Sequence, residues 1–254
     1  MSIADLGVVC FAVQVFLGAA LVTGEATGLL RLPYGKFRTG GGVNSRAGLA
    51  LAYAAPVFVY VALWIEDRGA LEAPYHLIVF AAFLFHFIRR ICEVCVVNSY
   101  SRPTPLSALL SIAIFYSGAA LVCGFFQVRT VAQPSKLLMV FGGLTFAFGE
   151  LLNAYHHWLL ARIRASGATM YSLPRGGLFR WVASPHYLGE ILSFLGYAMM
   201  SDLLPVWGTA LVVTAYLSAR ANSTLEWYRR QMPLQIAVRS PPKKRLLLVT
   251  GATP

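Results

Sequence analysis

The stretch from residue 162 to residue 190 gathers the side chains best suited to hold a charged ligand. A Pro-Arg-Gly-Gly run from Pro174 predicts a tight turn, because proline fixes one dihedral and glycine accepts positive φ. Ser184 and Pro185 predict a helix start, after which His186 and Glu190 share one face. Arginines beside a turn and a helix N-terminus suit a phosphate-bearing ligand, although a cytoplasmic loop that only orients the protein would carry the same charge. The arginines of the stretch are Arg162, Arg164, Arg175 and Arg180.

The composition is that of a membrane protein. The chain has 254 residues, of which 57% are hydrophobic and 12% charged, with a mean hydropathy of +0.64, whereas soluble domains carry about 25% charged residues. Its four scattered cysteines have neither a disulfide framework nor zinc-ligand spacing, so no metal site is predicted. The net charge of +11 lies at the edges of apolar runs, which favours membrane topology and an anionic ligand over nucleic acid.

Seven apolar runs predict an all-α polytopic membrane protein, with about seven transmembrane helices enclosing a cytoplasm-facing cofactor pocket in a single domain, 1–254. The basic loops fall on one side, which predicts an external N-terminus and a cytoplasmic C-terminus, with residues 232–254 as a basic cytoplasmic tail. The glycine-rich loop 29–46 lacks the spacing of a phosphate-binding loop and is predicted to be only flexible. The runs lie roughly at 3–24, 45–65, 74–99, 105–128, 136–160, 186–201 and 203–228.

Ionisable side chains inside these runs predict an interior polar site, because such groups are costly in lipid. A structural ion pair with arginines reaching the interface would explain the set in the third run equally well. The fifth run carries a polar stripe, and the seventh ends too polar for lipid contact, so three runs turn polar faces inward at the cytoplasmic level. The third run contributes His86, Arg89, Arg90, Glu93 and Asn98; the fifth contributes Glu150, Asn153, Tyr155, His156 and His157.

Three motifs resemble those of one enzyme family. The run TMYSLPRGGLFRWVASPHYLGEILSFLGYAM resembles the C-terminal reductase signature of the steroid 5α-reductase family, which also includes enoyl-CoA reductases. HFIRRICEVCVVNSYSRPTP is similar to the family's third-helix motif, and Arg220–Tyr228 takes the place of its last motif. The resemblance covers roughly residues 45–230. It implies an integral membrane oxidoreductase, of bacterial type, that uses NADPH to reduce the Δ4 double bond of 3-oxo-steroids to 5α-dihydro products.

Site residues follow from this resemblance position by position. The family's Gln-Glu pair that holds the substrate ketone aligns with Ala52 and Tyr53, so carbonyl polarisation falls to Tyr53, Glu93 or Glu150. The catalytic residues are then Tyr53, Glu93 and Glu190, and the substrate-binding residues are Tyr53, Phe87 and Glu150. Phe87 replaces a family tyrosine, and Glu93 matches a glutamate of the enoyl-CoA branch. The resemblance implies cofactor contacts from Asn98, Arg102, Asn153, His157, Arg164, Tyr171, His186, Glu190, Arg220 and Tyr228.

Other functions remain open from the sequence. A trans-2-enoyl-CoA or other enone reductase would have the same fold, and isoprenyl-cysteine-type methyltransferases, which use S-adenosylmethionine, share part of the motif around His186. A transporter or lipid-binding protein is the non-enzymatic alternative, although no inverted repeat supports it. The expected partners are the lipid membrane and a small hydrophobic enone that enters from the bilayer, with no nucleic acid. The expected state is a monomer in a bacterial inner membrane.

Overall fold

The structure is a computed structural model that describes residues 1–33, 35–37, 40–66, 73–100, 102–130, 134–165 and 173–232. Of the predicted cofactor residues, Tyr171 lies outside the described residues, as does the side chain of Arg164. The predicted basic tail also lies outside them beyond residue 232.

Seven α-helices form the described chain, and each confirms one predicted apolar run. The described residues contain no β-strand, only an isolated bridge between Val43 and Thr104. The first, second, fourth and fifth helices are long and apolar enough to cross a membrane. The helices are α1 (Ile3–Thr27), α2 (Ser45–Glu66), α3 (Pro74–Cys92), α4 (Leu106–Val128), α5 (Lys136–Ala165), α6 (Pro185–Ser201) and α7 (Leu204–Gln231). The chain is therefore a helical, multi-pass membrane protein.

The helices pack mainly as three pairs, α5 with α6, α2 with α4 and α1 with α7. Contacts of α6 with α7 and of α4 with α7 join the pairs into one bundle, and α3 packs against α2 and α6. Between them lie fully buried aromatic side chains, including Tyr60, Trp64 and Phe87. Because α3 contacts both α2 and α6, its polar residues meet side chains from opposite sides of the bundle.

Glycines let α5 and α6 approach at backbone distance. A Cβ added at Gly196 would lie 2.6 Å from the carbonyl oxygen of Gly142, and one at Gly149 would lie 2.7 Å from that of Gly189. Small residues at helix interfaces serve the same purpose in other membrane proteins, where dispersion contacts replace the hydrophobic effect. This close contact fixes α6, which carries Glu190, against the polar face of α5.

Adding a single methyl group at this interface should destabilise the bundle. We expect Gly196→Ala to lower the free energy of unfolding by about 1–3 kcal/mol, because its Cβ meets backbone that has no room to move. Gly118→Ala on α4 is the matched control, since a Cβ there contacts nothing within 4 Å and alanine favours a helix. Thermal unfolding of the detergent-solubilised variants measures both. If the Gly196→Ala protein were as stable as the control, α5 and α6 would not be in backbone contact at Gly196.

Candidate active site

The end of α3 places one buried and one partly buried arginine beside a single carboxylate, which belongs to the first residue after the helix. Glu93 accepts hydrogen bonds from Arg89 with one oxygen and from Arg90 with the other. Arg90, only 5% exposed, also donates from its second terminal nitrogen to the hydroxyl of Tyr53 on α2 at 3.2 Å. Its guanidinium carbon lies 5.1 Å from the centre of the Tyr53 ring. Glu93 therefore holds Arg90, and Arg90 holds the phenol.

Arg89 extends the hydrogen-bond network to α5. Arg89 donates to Glu150 at 2.5 Å and to the side-chain oxygen of Asn153 at 3.0 Å. The other oxygen of Glu150 lies 2.6 Å from Nδ1 of His86. Asn153 in turn donates to the backbone carbonyl oxygen of His186 at the start of α6, at 2.7 Å. A chain of hydrogen bonds thus runs from α2 through α3 and α5 to α6.

Glu190 on α6 completes the cluster from the opposite side. One of its oxygens accepts a hydrogen bond from the hydroxyl of Tyr116 on α4, and Arg90 interacts with the carboxylate electrostatically. The Tyr116 ring lies 5.8 Å from that of Tyr53 and 5.3 Å from that of Phe87. The two neighbouring tyrosines therefore each have a charged partner, Arg90 for Tyr53 and Glu190 for Tyr116.

We call this group the central cluster. Seven predicted site residues meet in it, from four helices that lie far apart in sequence. Phe87 packs on the aromatic side, between Phe83 and Tyr116. The seven are Tyr53, Phe87, Glu93, Glu150, Asn153, His186 and Glu190.

Two predicted cofactor residues follow the end of α3. Residues Glu93–Val97 form a π-helical turn, a widened turn that is common at functional sites. Asn98 ends this turn, with its backbone N–H donating to the carbonyl oxygen of Glu93 at 2.8 Å. Arg102 is exposed and lines a cavity that also borders the start of α2.

The glycine-rich first loop is more ordered at its end than the sequence predicts. The backbone of Val43 exchanges two hydrogen bonds of 2.9 Å with that of Thr104, beyond α3. The buried hydroxyl of Ser45 donates to the carbonyl oxygen of Arg102 at 2.7 Å. The prediction of mere flexibility was wrong for this part, because the loop gains a backbone partner that lies 61 positions away in sequence.

The predicted turn and helix start around residue 180 are confirmed, with one difference. Gly176 and Gly177 adopt positive φ, and the N–H of Leu178 donates to Nε2 of His156 on α5 at 3.0 Å. Helix α6 begins at Pro185, but the Ser184 hydroxyl makes no capping hydrogen bond. It is buried without a partner in the described chain, because the backbone before Pro185 does not adopt the usual capping conformation.

His157 lies near this helix start, with its ring centre 5.1 Å from that of His186. Tyr228 on α7 is buried and packs against Trp227. Arg164 lies in the last turn of α5. Cofactor contacts from these residues stay predictions.

Arg220 on α7 already has a protein partner. Its guanidinium donates to both oxygens of Glu25 on α1, at 3.1 and 3.2 Å, and to the carbonyl oxygen of Leu32 at 2.9 Å. It also lies 4.4 Å from the centre of the Phe37 ring. Arg220 thus ties α1 and the first loop to α7, and its predicted cofactor contact would come in addition to this role.

Sequence reasoning missed Tyr116 and Glu25. A single tyrosine in an apolar run is ordinary, so nothing in the sequence of α4 distinguishes Tyr116. Glu25 did carry a signal, because it is an acidic residue at the end of an apolar run. Its side chain is fully buried, and its importance depends on Arg220, which lies 195 positions away.

We expect Glu25→Gln to lower the free energy of unfolding by on the order of 3–5 kcal/mol, because it leaves the buried Arg220 charge without its counter-ion. The control is Glu66→Gln, an acid at the exposed end of α2, which should leave stability unchanged. The double variant Glu25→Gln with Arg220→Gln should regain part of the loss, since the buried Arg220 charge is removed as well and only the partly exposed Arg31 loses its partner. Equal stability of Glu25→Gln and wild type in thermal unfolding would contradict a structural ion pair.

Comparisons with known proteins agree with these motifs. A family model described as 3-oxo-5-alpha-steroid 4-dehydrogenase matches residues 102–249. The chain is 27% identical to 3-oxo-5-alpha-steroid 4-dehydrogenase 1 of Bos taurus over 241 residues, which cover 89% of this chain and 87% of the relative. It is 28% identical to a steroid 5-alpha-reductase of Gossypium hirsutum over 220 residues, or 82% and 85% of the two chains. It is also 28% identical to a very-long-chain enoyl-CoA reductase of Dictyostelium discoideum over 204 residues, or 78% and 66%.

Proposed function

The chain belongs to the 3-oxo-5-alpha-steroid 4-dehydrogenase family, and from that premise we propose that it is an NADPH-dependent membrane reductase of enones. The leading substrates are 3-oxo-Δ4 steroids, which would be reduced to 5α-dihydro products. The observation that carries the proposal is the central cluster, where the buried Arg90 donates a hydrogen bond to the Tyr53 phenol and interacts electrostatically with Glu190. The names of the relatives support the reaction class, because they include both steroid 5-alpha-reductases and an enoyl-CoA reductase.

The residues present fit a dinucleotide cofactor. Glu190 uses one oxygen for Tyr116, and its second oxygen makes no hydrogen bond within the described chain, so it can accept one from a nicotinamide carboxamide. Asn153 is held in place by Arg89 and by the carbonyl oxygen of His186. Arg102 lines a cavity whose described lining residues include no acidic side chain, which suits a phosphate. We propose these residues, with the other predicted cofactor residues, as the binding site.

A reduced nicotinamide, when bound, supplies the hydride that the β-carbon of an enone accepts. The protein must then stabilise negative charge on the carbonyl oxygen, for which a hydrogen-bond donor is needed. Both oxygens of Glu93 and both of Glu150 already accept hydrogen bonds from arginine or bond His86. These two carboxylates are hydrogen-bond acceptors. Of the three residues predicted to polarise the substrate carbonyl, Tyr53 is therefore the best donor.

Arg90 makes Tyr53 better suited to this task. A hydroxyl that accepts a hydrogen bond from a cation is polarised and becomes a stronger donor through its own O–H. Glu93 keeps the guanidinium in place from the other side. We therefore propose that Tyr53 donates to the substrate carbonyl oxygen, that Arg90 is its positioning residue, and that Glu190 with Tyr116 orients the nicotinamide. Misplacing that ring by about 1 Å would cost about 10²-fold in rate.

We expect Tyr53→Phe to lower kcat by about 10²- to 10³-fold, the cost of one donor to a developing oxyanion. The Km for NADPH should stay unchanged, since Tyr53 is assigned to the substrate. Tyr75→Phe is the matched control, because Tyr75 is a buried tyrosine that donates to the carbonyl oxygen of Ser201 outside the central cluster. Steady-state kinetics measures both variants. Near-normal turnover of Tyr53→Phe would remove the phenol from the mechanism.

The function itself is tested with purified protein and a substrate panel. We expect NADPH oxidation with a 3-oxo-Δ4 steroid, with one NADPH consumed for each double bond reduced, and slower or no oxidation with a simple enone. The second candidate, supported by the Dictyostelium relative, is reduction of a trans-2-enoyl-CoA, and a preference for that substrate would favour it. Binding of S-adenosylmethionine without binding of NADPH would overturn both proposals in favour of a methyltransferase.

The proposal includes the orientation and location of the protein in the membrane. Because the basic loops lie on one side, we propose a cytoplasmic C-terminus and cofactor site, an external N-terminus and a bacterial inner membrane as the location. The substrate would enter from the bilayer, as its apolar character requires, and the protein would act as a monomer.

A further inference from the structure

One buried histidine of α3 has a ring nitrogen that the surrounding protein leaves unused. His86 is 4% exposed, and its Nδ1 lies 2.6 Å from one carboxylate oxygen of Glu150 on α5. Its Nε2 is buried and has no hydrogen-bond partner within the described residues. An unsatisfied polar atom in a protein interior is costly, so it needs a physical reason, and a catalytic task is one such reason.

Glu150 determines which hydrogen atoms the His86 imidazole carries. The other oxygen of Glu150 accepts a hydrogen bond from Arg89 at 2.5 Å, so the group acts as a carboxylate and Nδ1 donates to it. Because Nδ1–H is fixed in this way, a proton that the ring gains or loses is held at Nε2. The two nitrogens face nearly opposite sides of the ring, so Nε2 points away from Glu150. In acid–base catalysis a carboxylate orients a histidine and stabilises its imidazolium by the same arrangement.

The aromatic neighbours of His86 place its ring beside the central cluster. The ring centre lies 4.9 Å from that of Phe87 and 5.3 Å from that of Phe194 on α6. Both of these rings contact the ring of Tyr116, whose hydroxyl donates to Glu190. One layer of aromatic side chains therefore separates His86 from the carboxylate that we assign to the nicotinamide.

Helix α3 itself relates His86 to the proposed carbonyl site. His86 lies four residues before Arg90 and therefore on the same face, about 6 Å away along the helix axis. Arg90 donates to the hydroxyl of Tyr53, which we assign to the substrate carbonyl oxygen. In an enone the α-carbon is bonded to the carbonyl carbon, so a group that protonates the α-carbon must lie near the group that holds the oxygen. His86 is on the face of α3 where such a group is needed.

One further proton balances the charges of this network. Among the described residues, two arginines and three carboxylates belong to it, which leaves one negative charge in excess. A proton on Nε2 of His86 cancels that excess, and an uncancelled charge inside a helical bundle is costly. Once the proton has been given up, the same excess charge favours its replacement from water. The charged members are Arg89, Arg90, Glu93, Glu150 and Glu190.

We propose that His86 is the general acid that completes enone reduction by protonating the α-carbon. This inference rests on the proposed function and adds to it the source of the second hydrogen. Once the β-carbon has accepted a hydride, the substrate is an enolate with negative charge on its oxygen. The electron pair of the enolate then forms a bond to the Nε2 proton, the N–H bond breaks and the carbonyl double bond is restored. His86 is left neutral and regains a proton from water, so one proton is consumed with each NADPH.

The test is steady-state kinetics of the full-length protein in detergent, with NADPH and a 3-oxo-Δ4 steroid. We expect His86→Asn to lower kcat by about 10²- to 10⁴-fold, the contribution of a positioned acid, with both Km values unchanged. Asparagine keeps an N–H donor for Glu150 and has no group at the place of Nε2. His76→Asn is the matched control and should leave kcat unchanged, because His76 is a buried histidine near the other end of α3 whose Nε2 lies 3.1 Å from the carbonyl oxygen of Thr130.

Isotope effects separate a proton donor from a residue that only holds helices together. In His86→Asn the proton transfer becomes rate-limiting, so deuterium oxide should slow turnover more strongly than it slows the wild type. Deuterium at the transferred hydrogen of NADPH should slow turnover less strongly. A lower kcat with both isotope effects unchanged would show a structural role and overturn the proposal, as would a near-normal kcat.

Glu150→Gln tests the same assignment independently and replaces His86→Asn if that variant does not fold. Glutamine keeps an acceptor for Nδ1–H of His86 and removes the charge that stabilises the imidazolium. We expect kcat to fall by about 10- to 10²-fold with the same changes in the isotope effects, because part of the positioning remains. Unchanged kcat and isotope effects would overturn the role of His86. Failure of the wild-type protein to oxidise NADPH with any enone would instead refute the proposed function, and the assignment of His86 with it.

Discussion

Neutralisation of buried charge inside a helical bundle is the constraint on which the rest of this structure depends. Arg89 and Arg90 lie on consecutive positions of α3, and neither reaches water freely, so each must be paired within the protein. Glu93 binds both, and Glu150 binds Arg89 a second time. An unpaired charge here would cost several kcal/mol, so the pairing fixes the rotation of α3 relative to α2 and α5. The orientation of Tyr53 follows from that pairing.

Backbone contact between α5 and α6 determines where the second half of the site lies. A Cβ at Gly189 would overlap the backbone of Asn153, so these two helices touch at the level of the site. Asn153 then reaches the carbonyl oxygen of His186, and Glu190 lies one turn further along α6 beside Tyr116. The small residues thus bring the short side chain of Asn153 within hydrogen-bond distance of the α6 backbone, because they let the two helix backbones approach closely.

The arginines divide into two groups by what surrounds them. Those inside the bundle are bound by carboxylates, and their contribution is to hold side chains in fixed positions. Arg46 and Arg102 are exposed and line a cavity that has no acidic side chain among its described lining residues. Arginines paired one to one with carboxylates add nothing to the net charge of +11. That excess comes from basic residues without an acidic partner, which can attract an anion.

The sequence by itself determined the number and order of the helices and the presence of ionisable residues inside them. Apolar runs of membrane length predict helices because every backbone group in lipid must bond within its own segment, and all seven agree with the structure. The cost of ionisable groups in such runs similarly pointed to Glu93, Glu150 and Glu190 before any contact was known. Only the tertiary structure decided the partners. The partners are separated by 74, 195 and 61 positions in the pairs Tyr116 with Glu190, Glu25 with Arg220, and Val43 with Thr104. The periodicity of one helix does not indicate which residues of another helix its side chains contact. A hydrogen bond across the bundle depends on helix rotation and approach, which the packing of all seven helices sets together.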